Sequence, residues 1–443
     1  MLAPQLAPFQ HPELYFTGVR GRVYLYNGKI CRLGGQTCNH RDLTMFEHLE
    51  KYAGDPIFRL NGEFHQNTHP KKVNLTIGLY YDDAGRIPVL SSVRSAEQRR
   101  AQNAEPRPYL PMEGLSSYRD AVQKLVFGAS HQVLQAGRVA TIQTVGGTGA
   151  LKVGADFLHA AFPDSEIWIS DPAWDNHYSI FQGAGVKTHT YSYYDPKTKS
   201  LRFEQMLAEL RALPSKSFVL LHPCCHNPTG VDLSREQWLE LIPVLVERGL
   251  IPFVDMAYQG FGSGLDEDAF AIRAMADAGL VFLVANSFSK NLSFYGERCG
   301  GLSVVCASAQ EAKDVLGQLQ AVVRRIYSSP PWHGGQITSD VLNDPQLYAA
   351  WVQEVAGMRE RIALMRQQAH QQLSAKLPGY DSSYFVKQRG MFTYTGLSMP
   401  QLLALRERHG VYIIDSGRIS VPGLNSGNID VFTDAMADVL RAG

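Results

Sequence analysis

The sequence predicts an α/β fold: a large domain with a mainly parallel sheet covered by helices, plus a smaller α+β domain joined to it by a long helix. Three observations predict it. The chain has 443 residues, and because single hydrophobic cores stop growing at roughly 250–300 residues, two structural domains are expected. From about residue 115, short apolar runs alternate with helical patterns, which is the signature of a mainly parallel sheet buried on both faces. After Leu342 a long charged helical pattern, Pro345–Lys376, leads into short strand-like segments.

Taken in order, residues 1–44 read differently from the rest. They carry Arg20, Arg22, Lys29, Arg32 and Arg41 against Glu13 and Asp42, with early prolines and little helical periodicity. Val23–Tyr26 alternates like one strand, but a lone hairpin is marginal in water. The segment is therefore expected to be a poorly ordered extension or a mis-set start, with Met45 the natural one. Strands are expected at Glu166–Ser170, Ser217–His222, Ile251–Asp255, Leu280–Ala285 and Leu302–Cys306. Ala150–Phe162 has helical spacing at Leu151, Ala155, Leu158 and Phe162. Ser234–Gly249 is the clearest helix, because Ser234 and Gln237 have capping-box spacing and Gly249 suits the stop. Pro243 inside it predicts a kink or a helix in two pieces. Met391–Tyr394 and Val411–Ile414 close the pattern as short strands.

Composition excludes several functions. The 42 Lys+Arg against 42 Asp+Glu argue against nucleic-acid binding, which needs surplus cations to displace counterions. No apolar run approaches the ~18 residues of a membrane span. The opening MLAPQLAPFQ lacks a basic n-region, so it is a poor secretory signal. The cysteines, at 31, 38, 224, 225, 299 and 306, have no C-x-x-C spacing, so neither a zinc ribbon nor a thioredoxin-type site is expected. No metal is called for, and the expected setting is cytoplasmic.

In such sheets ligands bind beyond the carboxyl ends of the strands, so the residues that follow each apolar run are the ones to inspect. Gly146-Gly147-Thr148-Gly149 precedes a helix, where free N–H groups and the helix dipole favour a phosphate. By itself it is also simply a turn, and it has neither P-loop nor G-x-G-x-x-G spacing. Asp255 ends an apolar strand, a costly place for a carboxylate unless it caps a helix or meets a cation; Tyr258 lies three residues on. Lys290 closes Ser287-Phe288-Ser289-Lys290 just past another strand. A lysine at a strand exit usually points to solvent, but the flanking hydroxyls and Arg298 resemble an anion cradle beside a reactive amine. In HPCCHNPTG, Pro228 holds Asn227 extended at the start of a tight turn, and packing explains Cys224-Cys225 without redox or metal chemistry. One ligand meets all these demands. Pyridoxal phosphate offers a phosphate for Gly147, Thr148 and Arg298, an aldehyde for Lys290, a ring nitrogen for Asp255, and a phenolate for Tyr258 and Asn227.

These residues resemble the aspartate aminotransferase family of fold type I pyridoxal-phosphate enzymes, and within it the bacterial aromatic-amino-acid (tyrosine) branch. The resemblance runs from Met45 to near the C-terminus through strings such as VNLTIGLYYDD, YLPMEGLSSYR, TIQTVGGTGALKVGADFL, LLHPCCHNPTG, AYQGFG, NSFSK, YGERCGGLSV and QRGMFTYTGLS.

The resemblance implies roles residue by residue. Lys290 forms the Schiff base and shuttles the proton. Asp255 pairs with the pyridine nitrogen, supported by His177, while Tyr258 and Asn227 bond the phenolic oxygen and Trp174 packs on the ring. Gly147, Thr148, Ser287, Ser289 and Arg298 hold the phosphate, joined by Tyr109 from a second subunit. Arg418 grips the substrate α-carboxylate, Gly78 lines the same pocket, and Arg324 from the partner meets a distal carboxylate. The implied organisation is a homodimer with shared sites. Its small domain is built from 45–87 and 357–443, and its large domain spans 88–356.

The implied reaction is ping-pong transamination of tyrosine, phenylalanine and aspartate, with 2-oxoglutarate as acceptor. Two arginine forks suit dicarboxylic substrates, whereas Leu79, Tyr81 and Ile87 give the apolar walls an aromatic side chain needs. An aspartate-selective enzyme of the same family is the alternative. Pro108, Ile326 and Pro422 depart from the family pattern. A lyase, racemase or decarboxylase on the same fold is the nearest rival chemistry. A transcription regulator would need a DNA-binding head, for which residues 1–44 are too short.

Overall fold

The computed structural model describes residues 46, 48–51, 54–103 and 105–442, and before them the backbone of three strands. The chain divides into two units, Met1–Asp55 and Pro56–Gly443. In the first, Phe16–Thr17, Arg22–Tyr26 and Lys29–Arg32 form an antiparallel sheet. The alternating stretch at Val23–Tyr26 is thus a strand. The rest of the expectation for residues 1–44, and the start at Met45, lie outside the described residues.

The second unit is built on a seven-stranded sheet. Its strands are β1 (Val139–Val145), β2 (Ile167–Asp171), β3 (Thr188–Ser192), β4 (Phe218–Leu221), β5 (Ile251–Met256), β6 (Phe282–Ser287) and β7 (Cys299–Val305). They lie in the order β1-β7-β6-β5-β4-β2-β3. Every neighbouring pair is parallel except those made by β7, which runs antiparallel to both β6 and β1. Alternate side chains feed two cores. Phe218, Leu220, Phe253 and Leu283 enter one, and Val219, Leu221, Val254 and Val284 the other. Burying each contributes about 1.5–3 kcal/mol, so both faces must be covered.

Each apolar run in the sequence falls on one of these strands, with ends shifted by a few residues. The two edge strands carried no such signal: Thr141, Gln143 and Thr144 interrupt β1, and in β3 only Tyr191 of Thr-His-Thr-Tyr-Ser is buried. The helix α1 (Gly146–Ala161) begins at Gly146 itself, so the glycines form its first turn instead of a turn before it. The helix α2 (Arg235–Arg248) has both capping-box bonds, Ser234 N–H to Gln237 at 2.9 Å and Gln237 N–H to Ser234 at 3.2 Å, and stops at Gly249 with φ 60°. Pro243 does not divide it. Pro243 and Leu239 are exposed, so the carbonyl that loses its bond at the proline can turn to water.

The long helix α3 (Pro345–Lys376) has the expected bounds. Beyond it, β8 (Phe392–Tyr394) pairs antiparallel with β9 (Arg418–Ser420). Val411–Tyr412 pairs in parallel with Val73–Asn74, so an N-terminal segment completes the C-terminal part. Among the described residues, no helix is long and apolar enough to cross a membrane.

Candidate active site

The carboxyl ends of β4, β5 and β6 share one edge of the sheet, and each delivers polar side chains there. The segment after β4 carries His222, His226 and Asn227, β5 carries Asp255, and the turn after β6 carries Ser289 and Lys290. Asp255 stands in register with Ala285 of β6.

Asp255 is 6% exposed, and its Oδ2 lies 2.9 Å from Nε2 of the fully buried His177. A carboxylate can only accept, so the imidazole donates. Burial raises the Asp255 pKa, but the His177 hydrogen bond and the nearby His177, His222 and Lys290 overcome it, and the carboxyl is held below its ordinary range. His222 Nε2 is 4.0 Å from the same oxygen. Burial holds His222 at about 4 against the pull of Asp255, so it is neutral. His226, with its ring 4.6 Å from that of His222, is bonded at both nitrogens by Ser170 and Thr229 at 2.9 and 2.8 Å.

Lys290 is half-buried, with Nζ 4.8 Å from the centre of the Tyr258 ring. Burial lowers its pKa, Asp255 raises it, and Arg298 and Arg418 lower it again, leaving the amine at about 8. Burial and the Asp255 charge push the Tyr258 hydroxyl up, so it is protonated and able to donate.

Near the amine, Arg298, Gly146 and the Ser287 and Ser289 hydroxyls come together. Cys299 opens β7 opposite Val145 of β1, so the residues just outside that register, Arg298 and Gly146, meet. Gly146 N–H donates to the Arg298 carbonyl at 2.9 Å. A Cβ on Gly146, whose φ is +67°, would lie 2.5 Å from the Arg298 guanidinium. Arg298 itself has φ 52°, a conformation costing about 1 kcal/mol or more that persists only where the surroundings impose it. Its Nη1 donates to Ser289 Oγ at 3.2 Å, and Ser287 Oγ donates to Ser289 Oγ at 3.1 Å. Gly147 and Thr148 are half-buried at the start of α1. A Cβ on Gly147 would sit 3.1 Å from Ser287.

Arg418 opens β9 and is 4% exposed. Its guanidinium donates to Thr76 O at 2.9 Å and to Asn227 Oδ1 at 3.3 Å, and lies 4.3 Å from the Phe392 ring. The Asn227–Pro228 peptide is cis, and the expected turn spans residues 227–229. A Cβ on Gly78 would lie 2.8 Å from the Phe392 ring. Trp174 is half-buried and meets His177 edge-on at 5.2 Å. Leu79 and Tyr81 are half-buried, and Ile87 is exposed.

The single chain thus connects Lys290, Asp255, Tyr258, His177, Trp174, Asn227, Arg298, Ser287, Ser289, Gly147, Arg418 and Gly78 through contacts or electrostatics. Tyr109 and Arg324 stand apart. Tyr109 is 97% exposed, and Arg324 is exposed with its guanidinium on Ser328. Cys224 and Cys225 are buried free thiols packed in the core.

Sequence reasoning missed Phe392, Thr76 and His222. Phe392 lies in a stretch read as a strand, and nothing in MFTY marks it as the plate under an arginine. Thr76 acts through its backbone carbonyl, which no residue type reveals. His222 had a visible signal: like Asp255, it lies at the exit of an apolar run.

Residues 70–436 match the profile of the family described as aminotransferase class I and II. The chain is 55% identical over 399 residues to an aromatic-amino-acid aminotransferase of Escherichia coli, covering 89% of this chain and all of that one. It is 47% identical over 398 residues to an aspartate aminotransferase of Pseudomonas aeruginosa, covering 90% of this chain and all of that one. Among solved structures, the aromatic-amino-acid aminotransferase of Burkholderia pseudomallei, covalently bound to pyridoxal phosphate, superposes with a TM-score of 0.89. That alignment is at 47% identity and covers 90% of this chain and all of the other.

Proposed function

Because this chain belongs to the class I and II aminotransferase family, we propose that it moves amino groups from tyrosine, phenylalanine and aspartate to 2-oxoglutarate, with pyridoxal phosphate as cofactor. The observation that carries the reading is a half-buried amine, Lys290, set beside a buried carboxylate that His177 keeps ionised.

The residues present fit the cofactor. Gly146 and Gly147 leave room that any side chain would fill, next to the Ser287, Ser289 and Arg298 donors, as a phosphate requires. Thr148 adds a hydroxyl at the helix start. Asp255 suits a protonated ring nitrogen, Asn227 and the protonated Tyr258 suit a phenolic oxygen, and Trp174 suits the ring face. When bound, pyridoxal phosphate supplies an aldehyde that condenses with amines and a ring that takes up electrons as Cα loses its proton.

The chain's own side chains supply the rest. Lys290 Nζ removes the substrate Cα proton. An amine near 8 is matched to that task, and such a base contributes about 10²–10⁴-fold. Asp255, kept charged, keeps the ring nitrogen protonated. Arg418 presents a planar fork to the α-carboxylate, steadied by Asn227, Thr76 and Phe392 and given space by Gly78.

A second copy of the chain completes the site: Tyr109 reaches the phosphate and Arg324 the distal carboxylate. Their exposure in the single chain supports this. The pairing of Val73–Asn74 with Val411–Tyr412 supports a small domain made of 45–87 and 357–443 around a large domain of 88–356. The free thiols accord with a cytoplasmic setting.

The walls at Leu79, Tyr81 and Ile87, and the higher identity to the relative named for aromatic amino acids, favour the aromatic branch. A side-by-side assay with 2-oxoglutarate tests this. Phenylalanine should be used with kcat/KM within about tenfold of aspartate, whereas discrimination of about 10³-fold or more against phenylalanine would make the enzyme aspartate-selective.

A further inference from the structure

We propose that Tyr295 and Ser293, on the loop between Lys290 and Arg298, are positioning residues that clamp the substrate-pocket wall and set its acceptance of aromatic side chains. The naming of the substrate rests on the aromatic reading above. The clamp itself is read from contacts.

The wall runs from Leu79 to Pro88. Its middle is a self-contained turn, in which Asp82 N–H donates to Arg86 O at 2.8 Å, Gly85 N–H to Asp82 O at 2.9 Å, and Arg86 N–H to Asp82 Oδ1 at 2.8 Å. These bonds fix the turn's shape, and its tip is tied to the C-terminal part through Asp83, which accepts from Ser426 N–H at 3.0 Å and from Ser426 Oγ at 2.5 Å. Its two flanks, which carry the apolar side chains, are held by side chains from the 290–298 loop. On one side Tyr80 N–H donates to the Tyr295 hydroxyl at 2.7 Å. On the other Ser293 Oγ donates to Pro88 O at 2.7 Å. Leu79 and Tyr81 adjoin the first anchor, and Ile87 adjoins the second.

The anchoring loop is itself tied to the cofactor-side groups. Ser293 N–H donates to Lys290 O at 2.9 Å and Phe294 N–H to Ser289 O at 3.0 Å. Arg298 Nη1 donates to the Tyr295 carbonyl at 3.2 Å. Ser293 has φ 54°, a non-glycine conformation that persists where the surroundings impose it. Tyr295 thus accepts from the wall through its hydroxyl and from Arg298 through its carbonyl. The clamp fixes the distance between the apolar wall and Lys290. An aromatic side chain would fill the space between them, whereas aspartate, held by two carboxylate contacts, depends less on the wall.

The test compares wild-type holoenzyme with Tyr295→Phe and Ser293→Ala. Both substitutions keep the Cβ and the packing volume and remove only the hydroxyl. Hydrogen exchange at the Tyr80 amide should quicken about tenfold or more in Tyr295→Phe. In each variant KM for phenylalanine should rise about 3–10-fold, with kcat within about twofold and KM for aspartate nearly unchanged. Unchanged exchange at residues 77–90, or equal KM rises for both donors, would overturn the clamp. A wild type that fails to use phenylalanine overturns the aromatic reading instead, and exchange at Tyr80 still decides the clamp. If Tyr295→Phe does not fold, Ser293→Ala, read by exchange around Pro88 and by the same KM split, carries the test.

Discussion

His177 Nε2 lies 2.9 Å from Asp255 Oδ2, with both side chains buried at the carboxyl edge of the sheet. Burial alone would raise the Asp255 pKa. The donated hydrogen bond reverses that, so His177 maintains the negative charge on which the proposed chemistry depends. His177→Leu should reduce kcat/KM about 10–100-fold, the worth of a hydrogen bond to a charged group. Steady-state assays with phenylalanine and with aspartate check it, and both donors should lose equally because the ring nitrogen serves each.

His222 gives a pH signature. Its pKa falls from an ordinary 6.5 to about 4 because of burial, against the raising effect of Asp255. Between those values the unfolded chain binds a proton that the folded chain does not, so stability falls as pH drops from about 6.5 to about 4. Asp255 has the usual acid pattern: its stabilisation is present above its ordinary pKa and is lost as pH falls through the lowered value. Urea denaturation of cofactor-free protein across this range should show a shallower decline for His222→Gln than for wild type. An unchanged slope would remove His222 from the account.

Gly78, Phe392 and Arg418 form a stack with no slack. A Cβ on Gly78 would meet the Phe392 ring at 2.8 Å, and that ring lies 4.3 Å from the Arg418 guanidinium. Gly78→Ala should displace the ring and with it the fork, raising KM for all amino acids about 10-fold or more, since small misplacements at a reacting centre are costly. Wild-type KM values in that variant would refute the stack.

Arg324 should separate the substrates. If it meets a distal carboxylate across a dimer, Arg324→Leu should lower kcat/KM for aspartate about 10²-fold or more, the cost of leaving one charge of a pair unanswered. Phenylalanine should change little. Equal losses for both would take Arg324 out of the specificity argument.

The sheet was legible because its central strands are continuous apolar runs buried on both faces. The edge strands were not: β1 is interrupted by Thr141, Gln143 and Thr144, and β3 has one buried side chain. The groups that cluster at the strand ends were legible because a charged residue at the end of such a run is anomalous, as with Asp255 and Lys290. What the sequence concealed acts through backbone or shape: the Thr76 carbonyl on Arg418, the Phe392 ring beneath it, and the Tyr295 hydroxyl on the Tyr80 amide. Pro243 misled because its cost depends on exposure, and an exposed helix face lets water answer the orphaned carbonyl.

Lys290 is the proposed carrier of the cofactor and mover of the proton. Borohydride reduction of the holoenzyme followed by peptide mapping tests this role most directly, with Lys290→Ala treated in parallel. The account predicts a phosphopyridoxyl group on Lys290 in wild type, and in the variant no such label together with turnover reduced by at least about 10²–10⁴-fold. A label on a different lysine, or near-normal transamination without Lys290, would contradict it.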